Sequence, residues 1–294
     1  SKSVDRPIFI VGTGRNGSTA LHELLSRHPE VAWLSNVTSR FPRRLGLSRL
    51  AMGAAGAPVL GELVRQRVRA SEAYPFWRLI APDFVASVRD LGAEDVTVDA
   101  VNAIHLAVSA RCAPRRSRFL AKLTGWGRLG YLNRVFPDGR FVHLVRDGRA
   151  VAASLLSVPW WRGRQGPQEW RWGSLPGNLD EEWRRNDHAL VVLAAIQWKI
   201  LTRSIEEAAR HLPGNTYLEV RYEDICADTL GLLRRVCEFC ELPWSSGFEK
   251  AVRRFPYENR NDHWRGELTA TEIRRLETVL CEDLTRYGYE PLRG

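Results

Sequence analysis

Apolar positions along the chain fall into two patterns: short unbroken runs, and longer stretches with helical spacing. Pro7-Ile8-Phe9-Ile10-Val11 is the first run and reads as a parallel strand buried on both faces. A glycine-rich loop follows, Gly12-Thr13-Gly14-Arg15-Asn16-Gly17-Ser18-Thr19, and then an amphipathic helix over Ala20–Leu25. Arg27-His28-Pro29 ends that helix, because proline disfavours helical geometry at the residue before it. Val31–Leu34 is the next strand. Residues 37–75 carry arginine pairs, a Gly/Ala-rich stretch at Met52–Pro58 and a short helical run at 59–70, and read as a mobile segment. Phe84–Val88 and Ala103–Val108 read as helical pieces covering the sheet.

Regular alternation resumes at Arg118. The pattern predicts a short strand over Phe119–Lys122 and a helix from Leu129 to Phe136, stopped by Pro137-Asp138-Gly139. Arg140–Arg146 is the strongest strand, and Asp147 caps a helix over Gly148–Leu156. One long helix is predicted from Glu181 to His211, then a strand over Thr216–Val220 and helices over Thr229–Cys240 and Thr269–Leu284. Strands alternating with helices imply one α/β domain, residues 1–294, with a central parallel sheet covered on both faces.

Composition narrows this little. A hydrophobic content of 44% and a charged content of 26% over 294 residues are those of a globular chain with a substantial core. No run of 18 apolar residues exists, so no transmembrane segment is expected, and the start lacks a signal pattern. Five widely spaced cysteines argue against a disulfide framework. Cys237 and Cys240 lie on an apolar helix face with no second pair to complete a zinc site, and read as buried thiols in a reducing, cytoplasmic setting. A Golgi lumen is the alternative if a native N-terminal anchor has been removed. Net charge is +9, and lysine occurs only at 2, 122, 199 and 250, so 39 of the 43 basic residues are arginine. These planar forks suit phosphate and sulfate. They are scattered rather than gathered into a nucleic-acid motif, so no nucleic-acid partner is expected.

Strand, glycine loop and helix N-terminus make an anion site, and three motifs overlap on it. Gly12, Gly14 and Gly17 fit the dinucleotide fingerprint, but no carboxylate ends the next strand at Ser35-Asn36. Gly12 and Gly17 fit a Walker loop, but Ser18 stands where its lysine belongs, which disfavours a nucleotide kinase. The third reading puts the cation inside the loop at Arg15, with Ser18 and Thr19 as hydroxyl donors. The loop alone does not separate them.

A second motif does. Arg146 and Ser154 stand eight residues apart across the junction of the strongest strand and its helix. Arg146 through Ser154 resembles the 3′-phosphate motif of sulfotransferases that use 3′-phosphoadenylyl sulfate (PAPS), and Gly12–Thr19 resembles their 5′-phosphosulfate loop. Val220–Asp224 resembles the strand-end Tyr-Glu-Asp of that family, and Arg260 to Leu268 its basic nucleotide loop. The branch resembled is the bacterial and Golgi type rather than the close cytosolic type. The resemblance covers residues 7–36, 118–156 and 216–268; residues 37–117 and 157–180 stand outside it, as variable acceptor-side cap and lid segments.

The resemblance implies a P-loop-like fold and sulfuryl transfer from PAPS, leaving 3′,5′-adenosine bisphosphate (PAP), to a hydroxyl or amine. The acceptor would be a small molecule, a glycan or a lipid-linked compound. It implies that Gly12, Gly14, Arg15, Asn16, Gly17, Ser18 and Thr19 cradle the phosphosulfate, with Arg15 beside the transferring sulfate. Arg146 and Ser154 would hold the 3′-phosphate, Tyr222 would approach the adenine, and Arg260 or Arg265 would close over the nucleotide. Lys122 would sit near the bridging oxygen, and no metal is expected. The family's base positions are occupied by Thr124 and by Leu34-Ser35-Asn36, so the base is sought in the cap, at Glu72 or His105. Five tryptophans crowd into Pro159–Trp183, as a binding lid or as a self-packed loop.

Overall fold

The computed structural model describes residues 4–57, 60–255 and 259–290. Five strands, β1 (Ile8–Gly12), β2 (Val31–Trp33), β3 (Arg118–Thr124), β4 (Arg140–Val145) and β5 (Tyr217–Arg221), form one sheet in the order β2-β3-β1-β4-β5. Every pair is parallel. β1 is therefore central, with the end of β3 on one side and the end of β4 on the other. The register sets Gly12 beside Thr124 and Val11 beside His143. The chain leaves β1 toward one edge and later returns to the opposite side. This is the strand-order reversal at whose carboxyl ends open α/β sheets hold ligands.

Along β1, side chains alternate between faces, as the two-residue period of a strand requires. Ile8 and Ile10 join Leu21 and Leu24 of α1 (Ser18–Leu25) on one face, while Phe9 and Val11 pack on the other with Trp77, Ile104 and Leu132. Before β3 the chain forms α2 (Asn36–Arg40), α3 (Leu45–Ala55), α4 (Gly61–Arg65), α5 (Tyr74–Ile80), α6 (Pro82–Ala86) and α7 (Val98–Ser109). The stretch read as mobile is thus folded. Arg65 fastens α4 by donating to Ser26 and to the Ala55 carbonyl, at 2.9–3.0 Å. Residue 59, where the helical run was placed, lies outside the described residues, as does Pro58.

After β3 come α8 (Leu129–Val135), then β4 and α9 (Gly148–Leu156), capped by the Asp147 side chain on the Arg149 N–H. The long helix expected over 181–211 is two, α10 (Gly177–Arg185) and α11 (Leu190–Arg210). Asp187 and His188 both take left-handed backbone, with φ of 54°, and the Trp183 indole donates to the Ala189 carbonyl across the break. Trp161 and Trp170 are buried in the cluster that α11 forms with α9, and the Trp161 indole donates to Gln197 at 2.8 Å. Of the insertion's five tryptophans, Trp172 and Trp183 pack partly buried against the same cluster and Trp160 is exposed, so the segment is partly self-packed and partly surface. The chain ends with α12 (Tyr222–Ala227), α13 (Thr229–Phe239), α14 (Ser246–Arg253), α15 (Trp264–Glu267) and α16 (Ala270–Arg286). Nothing in the sequence pattern marked α14. Among the described residues no helix is long and apolar enough to cross a membrane.

Two buried histidines set an acid limit on this fold. His22 in α1 and His143 in β4 are each pushed down to about 3 by burial, His22 additionally by Lys122. Both are neutral in the native state, and the unfolded chain takes up their protons first as pH falls below about 6.5. Stability is complete above that pH and is lost toward pH 3, by about 1.4 kcal/mol per pH unit for each histidine. His22→Leu is expected to shallow the acid limb of urea midpoint against pH. An unchanged slope would assign the limb to other groups.

Candidate functional site

Three strand ends converge on one cavity of about 660 Å³. The loop after β1 supplies its floor. Gly14, Arg15 and Gly17 all take positive φ, of 78°, 57° and 87°, the kind of turn in which successive backbone N–H groups can form an anion-binding concavity. Asn16 lies behind the loop rather than in the cavity. It is fully buried, donates from Nδ2 to the Leu144 carbonyl at 2.6 Å, and accepts from the Ser18 N–H. Gly12 is likewise at the rear, where a Cβ would stand 1.9 Å from Asn16 Nδ2 and 2.7 Å from the Leu144 carbonyl. Both shape the loop from outside the cavity lining. At Gly17 a Cβ would meet the Tyr222 ring at 2.2 Å, so the ring closes directly on the loop.

At the end of β4, Arg146 reaches across. Its Nη1 donates to the Arg15 carbonyl at 3.0 Å and its Nη2 to the Arg260 carbonyl at 2.7 Å. Its guanidinium lies 4.3 Å from the Tyr222 ring centroid, and its buried Nε has no hydrogen-bond partner among the described residues. Ser154, two turns along α9, accepts from Arg15 Nε at 2.9 Å. Arg15 is therefore turned toward the Arg146–Ser154 side, not along the loop toward Lys122, where the sequence reading would have it. Burial, and then the nearby Arg146 and Arg260 charges, hold the Arg15 guanidinium below its ordinary pKa. Converging cations of this kind favour a multiply charged anion.

At the end of β3 the chemistry changes. Lys122, only 7% exposed, donates from Nζ to Thr19 Oγ1 at 2.9 Å and stands 3.3 Å from Glu72 Oε1. Glu72 also accepts from Thr124 Oγ1 at 2.5 Å, and the Tyr74 hydroxyl donates to the Thr124 carbonyl at 3.0 Å. A lysine, a threonine hydroxyl and a carboxylate thus meet at one lip of the cavity. Glu23 is a second carboxylate in the lining, which sequence reasoning missed. Burial raises its pKa, and it accepts from the Ala70 N–H at 2.6 Å. The signal was available, since Glu23 lies four residues after Thr19 and so on the same face of α1.

His105 is elsewhere. Its ring nitrogen bonds the Val135 carbonyl at 2.7 Å and its ring packs on Phe136, so it ties α7 to α8. Arg265 is also outside the lining, paired with Asp262 at 3.2 Å and lying over Trp264. The structure brings Gly14, Arg15, Gly17, Ser18, Thr19, Glu72, Lys122, Arg146, Ser154, Tyr222 and Arg260 together. It adds Phe255, which no motif marked, and, from the segments read as nucleotide loop and lid, His263, Trp264, Glu267 and Trp160, which were not singled out as site residues. Trp160 is 65% exposed, unlike its buried neighbour Trp161.

Comparison with known proteins gives this arrangement a context. A profile described as "Sulfotransferase family" matches residues 7–246. Protein-tyrosine sulfotransferase 2 of Gallus gallus is 30% identical over 153 residues, covering 51% of this chain and 33% of that protein. Protein-tyrosine sulfotransferase A of Caenorhabditis elegans is 22% identical over 238 residues, 81% of this chain and 50% of that protein. The chain thus spans a third to a half of the length of these curated relatives. Among solved structures, sulfotransferase STF9 from Mycobacterium avium superposes with a TM-score of 0.59 at 17% identity, over 98% of this chain and 78% of that one. Sulfotransferase STF1 from Mycobacterium tuberculosis gives 0.55 at 17% identity, over 95% and 76%. At such identity these two show a shared fold.

Proposed function

The chain belongs to the sulfotransferase family, and we propose that it transfers a sulfuryl group from PAPS to a hydroxyl or amine of an acceptor. The observation that carries this is the opening of two anion sites into one cavity: the loop Gly14–Thr19 and the Arg146–Ser154 pair, joined by the Arg15–Ser154 hydrogen bond. The residues fit a nucleotide phosphorylated at both ends. Arg146 Nε is buried and has no partner among the described residues, and the volume suits a ligand of nucleotide size.

Backbone N–H groups of the loop would hold the 5′ end at the α1 N-terminus. Arg146, Ser154 and Arg15 would hold the 3′-phosphate, with Tyr222 and Arg260 over the nucleotide. On this reading Arg15, bonded to Ser154, would serve the 3′ end rather than the sulfate. PAPS, when bound, supplies an activated sulfuryl group. Lys122, steadied by Thr19, would neutralise charge on the departing oxygen, as fixed cations do in phosphoryl transfer. Glu72 would accept the acceptor's proton. The role of the metal ion in kinases falls to arginine and lysine here. Segments 37–117 and 157–180 supply the Glu72 and Trp160 walls, where a small, glycan or lipid-linked acceptor would enter.

The test is ligand-dependent melting. PAP is expected to raise the melting temperature, since a ligand bound only to the native state adds about 2.7 kcal/mol at 100 times its Kd. A shift with ATP and magnesium but none with PAP would overturn the reading.

A further inference from the structure

Residues 36–70 hold seven arginines against one carboxylate, Glu62, which is engaged with Arg27. Within this stretch α3 and α4 form a helical hairpin with two distinct faces. The inner face is anchored: Ser48, Met52 and Ala55 are buried, and Arg65 turns inward onto Ser26. The outer face is apolar as well. Leu50 is 72% exposed, Leu60 60% and Leu63 62%, with Phe41 and Leu47 close to half exposed. Leu47 and Leu50 are three residues apart on one face of α3, and Leu63 stands on α4 three residues after its N-cap, Leu60. Arg40, Arg43 and Arg44 just before α3 and Arg67 just after α4 are exposed as well.

We infer that the α3–α4 hairpin is a docking face for an anionic lipid bilayer. Leucines standing out of a surface that already has its own buried anchor are not spilled core. The combination of leucine with an arginine rim matches an interface where apolar side chains enter acyl chains while guanidinium groups meet lipid phosphates. A protein partner would be met by aromatic anchors, and this face offers one, Phe41. The hairpin also flanks the cavity. Glu62 of α4 pairs with Arg27, whose guanidinium lies 5.2 Å from the ring centroid of cavity-lining Phe255. Just past α4, the Ala70 N–H donates to cavity-lining Glu23. Docking there would place the cavity beside the membrane surface, whichever group it transfers.

Vesicle flotation tests this with the whole chain. Vesicles of phosphatidylcholine with phosphatidylglycerol are expected to carry the protein at low salt, vesicles of phosphatidylcholine alone much less, and added salt should release it. Leu50→Glu/Leu63→Glu and Arg43→Glu/Arg44→Glu should each weaken partitioning at least about tenfold. Both should melt at the wild-type temperature, because these side chains are exposed. No flotation with the mixed vesicles, or flotation equal to wild type in both variants, overturns the inference. A concentration-dependent dimer in light scattering, removed by Leu50→Glu and seen without flotation, would also overturn it and assign the face to a second copy of the chain.

Discussion

Arg146→Ala is expected to abolish the PAP-induced melting shift. One side chain performs four tasks at the nucleotide end of the cavity. It clamps the Arg15 carbonyl, clamps the Arg260 carbonyl, lies over the Tyr222 ring, and keeps one buried N–H without a partner among the described residues. Hydrogen bonds to charged groups are worth about 1.5–3 kcal/mol each. If Arg146 holds the 3′-phosphate as proposed, losing that charged contact together with the support of the loop should weaken binding at least about 100-fold, or roughly 2.7 kcal/mol. Arg146→Lys retains the charge without the fork and should recover only part of the shift. Ser154→Ala, which removes one acceptor of the Arg15 N–H, should cost less. Calorimetric titration with PAP measures all three, and an unchanged Kd for Arg146→Ala would remove this residue from the nucleotide site. Melting of each variant without ligand separates affinity from folding.

The parts of the fold that were legible are those fixed by short-range pattern. β1 is a five-residue apolar run and lies buried as one, and the Asp147 cap sits where the strand of residues 140–146 gives way to a helix. The break between α10 and α11 was not legible. Hydrophobic spacing runs on through it, and only two left-handed residues, Asp187 and His188, interrupt the backbone. The cap was harder still, because α2, α4 and α6 are five residues each and owe their shape to tertiary contacts rather than to propensity.

The site divides the same way. The loop and the Arg146–Ser154 spacing could be read because each sits at one strand–helix junction. The direction of the Arg15 side chain could not, since it depends on a serine 139 residues away. His105 and Glu72 looked equivalent in sequence, both lying in an unassigned region. Folding separates them: α7 turns His105 onto the Val135 carbonyl, while the segment before α5 delivers Glu72 to the end of β3.

That delivery makes Glu72→Gln the sharpest test of the chemistry. The carboxylate stands between Lys122 Nζ and Thr124 Oγ1, at 3.3 and 2.5 Å, on the lip where the loop's phosphosulfate end and the cap meet. An acceptor hydroxyl lying in line with the leaving oxygen would come within hydrogen-bond reach of the same carboxylate. Glutamine keeps the shape and still accepts from Thr124, but takes no proton. Turnover, measured with the best acceptor from a panel of alcohols, phenols and amines, should fall by about 10²–10⁴, the usual contribution of a positioned base. The PAP melting shift should be retained, because Glu72 lies on the opposite lip from Arg146 and Ser154. His105→Ala, by contrast, should lower the melting temperature and leave turnover per folded molecule intact. Full turnover in Glu72→Gln would transfer the role to Glu23, the carboxylate facing the same space from α1.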